Sequence, residues 1–259
     1  MDGRFFDDRR IAKGYAKDRP FLHTQVIDMV KKECIGSRIF QNGLDVGCGA
    51  GLSTRALKAL CNEVTGIDIS GEMIEEAKTL YTEPGYAFRK GSGEAIPFPD
   101  VSVDIISGAG MINWTDRNAF LISAGRVLEK RGILFLYDFW ISDRMVENDV
   151  YSLWWHDSYR KNFPVASGKK EMPWWSDEDV TSYGFRTVKQ TSFYLKWGFT
   201  KEEFIRFMML QSDVNAQIGK EGKTREAIED WFATTLTPVF QREREFGVFE
   251  GYYWLYEKI

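Results

Sequence analysis

The chain has 259 residues, 44% of them hydrophobic, with a formal net charge of -4. That length suits one large α/β domain with an insertion, and the acidic balance argues against a nucleic-acid-coating surface. No apolar run approaches a membrane span and no apolar leader follows Met1, so a cytoplasmic protein is expected. Three cysteines (Cys34, Cys48, Cys61) without C-x-x-C spacing and two distant histidines (His23, His156) give no expected metal site on those ligands.

Residues 1–20 are polar and end in Tyr15-Ala16-Lys17-Asp18-Arg19-Pro20. Pro20 fits the first turn of a helix; Val26, Ile27, Met29 and Val30 give that helix an apolar face to about Lys32. A strand over 43–47 then runs into Leu44-Asp45-Val46-Gly47-Cys48-Gly49-Ala50-Gly51. Three glycines at alternate positions make the backbone turn tightly and let a ligand come close, and the helix that follows, about 52–61, offers free N–H groups to it. This is a nucleotide-type turn, but neither the dinucleotide fingerprint nor the phosphate-cradling loop. The third glycine of G-x-G-x-x-G falls on Leu52, and no Lys-Ser or Lys-Thr follows Gly51.

A second strand, 63–69, ends on Asp68, about 20 residues past the glycines, where a carboxylate in nucleotide-binding α/β folds accepts hydrogen bonds from ribose hydroxyls. Ser70 reads as the N-cap of a helix with Met73, Ile74, Ala77 and Leu80 as its stripe. Strand three, 86–90, leads into Gly91-Ser92-Gly93-Glu94-Ala95-Ile96-Pro97-Phe98. Strand four, 103–107, ends at Ser107, followed by Gly108-Ala109-Gly110-Met111. A helix over about 116–128 and strand five, 133–137, complete an alternation that predicts a parallel sheet.

Acidic-x-Gly-x-Gly-x-Gly, written LDVGCGAG, resembles the first motif of class I S-adenosylmethionine-dependent methyltransferases. The segment at Gly91–Phe98 resembles that family's Gly-x-Ala-Glu-x-Leu-Pro-Phe stretch, with Gly93 in place of Ala. The Tyr-x-x-x-Arg-Pro pattern resembles the segment that folds over cofactor and substrate in small-molecule enzymes of the menaquinone-biosynthesis and trans-aconitate type. The resemblance implies a Rossmann-like α/β fold with a seven-stranded, mostly parallel sheet, helices on both faces and an aromatic-rich capping insertion. It implies S-adenosylmethionine as cofactor, S-adenosylhomocysteine as product, and a cofactor site drawn from Arg19, Asp45, Gly47, Cys48, Gly49, Gly51, Asp68, Ile69, Met73, Gly93, Glu94, Ala95, Ser107 and Met111.

The expected organisation is an arm and helix over 1–39, a cofactor-binding core over 40–140, a capping insertion over 141–182, and C-terminal strands and helices over 183–259. The insertion is rich in aromatics (Trp140, Tyr151, Trp154, Trp155, Tyr159, Phe163, Trp174, Trp175) and poor in helical periodicity. Its rings offer either a wall for a flat or cationic acceptor or a lid glued to the sheet. A sixth strand is expected over 185–195, helices over 201–210 and 224–236 capped by Thr200 and Thr224, and a final antiparallel strand over 248–259.

The activity expected is in-line displacement of the methyl group onto a small molecule, with proximity and orientation carrying the catalysis. No Asp/Asn-Pro-Pro-aromatic or Pro-Cys motif of base methylation stands at 107–110, so no nucleic acid or membrane partner is expected; the oligomeric state is left open. RNA or protein methylation, and cofactor binding without turnover, stand as alternatives. If the acceptor must lose a proton, His156 and Tyr15 are the candidate bases, with Asp138 behind them; Arg19 or Arg186 is a candidate for a substrate carboxylate.

Overall fold

A computed structural model describes residue 14, residues 17–165 and residues 175–259. Its frame is one seven-stranded sheet in the order β3-β2-β1-β4-β5-β7-β6. The strands are β1 (Phe40–Val46), β2 (Cys61–Asp68), β3 (Tyr86–Lys90), β4 (Val103–Ala109), β5 (Leu128–Met145), β6 (Phe185–Phe199) and β7 (Glu245–Lys258). The first five are mutually parallel, and β7 runs antiparallel to both β5 and β6. The chain steps outward from β1 to β3, then returns to the other side of β1 with β4. That reversal opens a crevice at the carboxyl ends of β1 and β4, the place where such sheets receive ligands.

Helices cover both faces. They are α1 (His23–Val30), α2 (Leu52–Leu57), α3 (Gly71–Leu80), α4 (Arg117–Val127), α5 (Asp149–Trp154), α6 (Asp177–Ser182), α7 (Lys201–Met208), α8 (Ser212–Asn215) and α9 (Arg225–Thr235). Side-chain alternation on β5 and β7 separates two cores. Phe135, Tyr137, Phe249, Tyr253 and Leu255 pack with α1, α2, α5, α7 and α9. Leu134, Leu136, Trp254 and Tyr256 pack with α4 and α6 on the opposite face. The caps expected from sequence are formed: Ser70, Thr200 and Thr224 each accept a hydrogen bond from the first turn of their helix, and Thr200 with Glu203 makes a reciprocal capping box; Asp116 caps α4 in the same way.

The structure corrects several boundaries. α1 begins at His23 rather than Pro20 and continues through a π turn over Lys31–Ile35. β5 runs 18 residues instead of five, because past Tyr137 it stays paired with β7 as far as Met145. The weakly periodic stretch after it is helical: α5 continues through a π turn, Trp155–Tyr159, to Asn162. The extra residue of a π turn shifts the apolar phase, so a 3.6-residue template does not find it.

The rings of this insertion lie on one another. Trp154 is buried against Tyr151, Tyr159, Phe204, Trp231 and Phe232 at centroid distances of 5.5–6.4 Å, and its indole N–H donates to Thr235 Oγ1 at 3.1 Å. Arg160 lies over Trp155 and Tyr159 and pairs with Asp213 at 2.7 Å. These aromatics form a satellite core between α5, α7 and α9. Trp174 lies outside the described residues.

Candidate cofactor and acceptor site

The glycine turn sits at the end of β1. Gly47 and Cys48 donate their amides to Ile67 O at 2.8 and 3.0 Å, which ties the turn to β2. Gly51, at φ +90°, has no room for a side chain: a Cβ there would stand 2.6 Å from the Tyr81 ring. Gly49, at φ +52°, meets only Met73 Sδ, 3.9 Å away, so its missing side chain leaves open space above the turn.

Two carboxylates brace this turn. Asp68 Oδ2 accepts the Gly49 amide at 2.9 Å and Oδ1 accepts the Ser70 amide at 2.8 Å. Asp45 is fully buried, and its Oδ2 takes the hydroxyls of Ser53 and Thr54 at 2.6 and 2.7 Å. Its other oxygen, Oδ1, makes no hydrogen bond of good geometry, though the buried Ser107 hydroxyl is close enough to pull on the carboxylate. Burial is the main reason that the Asp45 carboxyl is pushed up to about 7, with the Asp68 charge beside it, against the opposing pull of the Ser53, Thr54 and Ser107 hydroxyls.

The other expected site residues fall around these two. Met111 packs its side chain where Cβ atoms on Gly47, Gly93 and Gly108 would have to go, so the turn after β1, the loop after β3 and the end of β4 meet on one methionine. Met73 is buried in α3 beside Gly49, while Ile69 stands exposed next to Asp68. Ser107 is buried directly across the β1–β4 ladder from Asp45, close enough for its hydroxyl to act on that carboxylate. Glu94 and Ala95 are exposed; the Glu94 carboxylate accepts the amide of Asp116, the N-cap of α4, at 2.8 Å. Cys48 directs its thiol into a small core with Ile74, Ala77 and Phe88, where burial raises the thiol well above its ordinary range. Only its backbone belongs to the turn.

Two candidates for acid–base work lie elsewhere. His156 is 60% exposed and binds Asp143 at 2.9 Å, six residues beyond Tyr137 on β5, so the structure does not bring it to the glycine turn. Tyr15 lies outside the described residues. Arg186, a candidate for a substrate carboxylate, is paired with Glu257 at 3.0 Å on the surface.

Near the turn the structure places the other histidine. His23, the first residue of α1, shares a 2.8 Å hydrogen bond through Nδ1 with the hydroxyl of the buried Tyr137. Phe21, Tyr137 and Phe139 surround its ring. Desolvation, and after it the charge of Arg19, push His23 down to about 3, so it is a neutral imidazole at any ordinary pH. Tyr137 is near enough to Asp45 and Asp138 for both charges to act on it. Asp138 itself sits at Gly110, where a Cβ would come within 3.1 Å of Oδ1. A lone histidine 22 residues before the motif gave no periodic or spacing signal that could have marked it.

Residues 44–136 match the family model for the methyltransferase domain. This stretch, which runs from β1 into β5 and holds the glycine turn and Asp68, is similar to a methyltransferase domain. Among curated relatives, the methyltransferase YcgJ of Bacillus subtilis is 31% identical over 49% of the chain and 51% of its own length. The ubiquinone/menaquinone biosynthesis C-methyltransferase UbiE of a Shewanella species is 32% identical over 47% and 52%. The chain thus spans about half the length of these relatives. A solved structure from Anaeromyxobacter dehalogenans, described as a type II methyltransferase, superposes with a TM-score of 0.68 at 17% identity, covering 90% of this chain and 94% of its own. That likeness extends the shared fold beyond the methyltransferase domain into the C-terminal strands. Among the described residues no cluster of His, Cys, Asp and Glu has the makings of a metal site, and no helix is long and apolar enough to cross a membrane.

Proposed function

We propose that this protein transfers the methyl group of S-adenosylmethionine to a small-molecule acceptor, in a cytoplasmic setting. The observation that carries the cofactor assignment is the open space over Gly49, bracketed by the Asp45 and Asp68 carboxylates at the ends of β1 and β2. Carboxylates at that place accept hydrogen bonds from ribose hydroxyls and attract a cationic ligand. S-adenosylmethionine supplies an ammonium, a ribose diol and a positively charged sulfur carrying an activated methyl. The open space at Gly49, the Asp68 carboxylate and the exposed side chain of Ile69 suit a turn, a diol and a flat ring in that order. Met73, Gly93 and Met111 line the same crevice.

The acceptor side is Gly110, Asp138, Tyr137 and His23, at the ends of β4 and β5. These groups align an attacking atom with the methyl, and alignment supplies up to about 7–11 kcal/mol of the barrier. Small size of the acceptor is supported by the acidic chain and by relatives such as UbiE, a C-methyltransferase of ubiquinone and menaquinone biosynthesis.

The test is a calorimetric titration of wild type and Asp68→Ala with S-adenosylmethionine, S-adenosylhomocysteine and NAD, followed by detection of S-adenosylhomocysteine after incubation with metabolite pools. Binding of the first two, weakened at least tenfold in the variant, and product formation are expected. Binding of NAD alone, or of none of the three, sinks the cofactor assignment. Binding without product in any pool sinks the transferase assignment.

A further inference from the structure

The first residue of α4, Arg117, carries a charge that the protein does not answer. Its Nε and Nη2 are both buried and neither has a hydrogen-bond partner. Among the described residues no carboxylate lies within 4.0 Å of its guanidinium; the group lies over the ring of Trp175 at 4.4 Å. The nearest acid acting on it, Asp179, has one carboxylate oxygen held by the Ser176 amide at 3.0 Å in the capping box of α6. Desolvation holds the Arg117 guanidinium below its usual range, the sign of a cation that lacks its counter-charge. Other arginines of this half are answered: Arg126 by Asp100, Arg144 by Glu250, Arg160 by Asp213 and Arg186 by Glu257.

The two unanswered atoms are on the same edge of the guanidinium. Nε–H and Nη2 present parallel donors, the pair that grips both oxygens of a carboxylate at once. Arg117, Trp175 and Asp179 stand on the wall of a cavity of about 420 Å³, within the ~300–1,000 Å³ of small-molecule sites. A third orphan lies close by. The hydroxyl of Tyr252 is buried without a partner, and Tyr252 feels the charges of both Arg117 and Asp138. Tyr252 is also the registered partner of Asp138 across β5 and β7, and Asp138 packs at Gly110 beside the end of β4. Tyr252 is thus within electrostatic reach both of Arg117 on the cavity wall and of Asp138 on β5.

We propose that Arg117, with the Tyr252 hydroxyl, forms an oxyanion subsite that takes the carboxylate of a small anionic acceptor, anchored beside the aromatic face of Trp175. The proposal rests on the methyltransferase reading only for what the anchored molecule is for; the anion site itself is independent of it. The flat aromatic floor favours a planar carboxylate over a tetrahedral anion, and a neutral isostere leaves the guanidinium edge unanswered.

Benzoate, its neutral counterpart benzamide and inorganic phosphate serve as probes in calorimetric titrations of the full chain at constant ionic strength, with and without S-adenosylhomocysteine. Benzoate binding, no measurable benzamide binding, and a loss of at least tenfold for benzoate in Arg117→Lys are expected; that variant keeps the charge and loses the two-donor edge. Tyr252→Phe, which removes one hydroxyl and keeps the ring, is expected to weaken benzoate severalfold, and S-adenosylhomocysteine affinity is expected to hold in both. Benzoate bound equally by wild type and Arg117→Lys, benzamide bound as well as benzoate, or no anion bound at all overturns the site. Phosphate bound in place of benzoate overturns the carboxylate class. The cofactor reading fails separately, through absent binding of S-adenosylhomocysteine to wild type in the same titrations.

Discussion

Asp45 is the residue whose chemistry the fold alters most. Fully buried beside the Asp68 charge, with only the hydroxyls of Ser53, Thr54 and Ser107 to hold it, its carboxyl is pushed up to about 7. In the unfolded chain it titrates near 4. Between those values the folded state holds a proton that the unfolded state has released, so this group's contribution to stability is full below about pH 4 and is lost as pH rises through about 7. His23 has the opposite slope: pushed down to about 3, it favours the folded state above its ordinary value and loses that contribution as pH falls. The two slopes oppose each other over the acid range. In Asp45→Asn, stability against urea is expected to rise more steeply with pH between 4 and 7 than in wild type. Ligand binding reads the same carboxylate. A cationic ligand needs it ionised, so affinity for S-adenosylmethionine is expected to fall by about tenfold per pH unit below about 7, and Asp45→Asn is expected to bind weakly with a flat pH profile. A wild-type affinity unchanged between pH 5.5 and 8 counts against contact with Asp45.

At the scale of elements, the glycine turn and the aromatic insertion illustrate two kinds of legibility. The turn was readable because its backbone conformation restricts residue type: only glycine is comfortable at φ +90° against the Tyr81 ring, so three glycines at alternate positions announce the geometry. The insertion was readable as aromatic and unreadable as to purpose, because ring content is the same for a substrate wall and for a packed core. The structure assigns α5 and its π turn to packing against α7 and α9. Trp154→Ala is therefore expected to lower stability by about 3–5 kcal/mol, as large core truncations do, while leaving affinity for S-adenosylhomocysteine unchanged. The check is urea unfolding alongside calorimetry; a stable variant with impaired ligand binding reverses the assignment.

On the scale of the whole molecule, β5 joins the two halves. Its first part pairs with β4 in the methyltransferase domain, and it pairs with β7 over most of its length. β7 in turn carries β6 along 14 registered positions. One sheet with shared strands is expected to unfold as one cooperative unit. Tryptophan emission, which reports from residues 114–254, and far-ultraviolet circular dichroism should give coincident transitions. S-adenosylmethionine at a hundred times its Kd should shift both equally, by about 2.7 kcal/mol. A fluorescence transition that the ligand leaves in place would falsify the single unit.

The sequence by itself determined the strand–helix alternation, the seven-stranded fold class, the helix caps and the glycine turn with its two carboxylates. Each is a local constraint: a period, a side chain that bonds an amide three residues on, or a backbone angle that excludes a Cβ. Tertiary structure alone decided which histidine approaches the crevice. It set His23 on Tyr137, 114 residues away, and left His156 in solvent with Asp143. It also decided that Asp45 lies buried against Ser53, Thr54 and Ser107, and that Arg117 holds two buried nitrogens without a hydrogen-bond partner. Burial and pairing depend on what distant strands bring together, and neither is written in the spacing of residues along the chain.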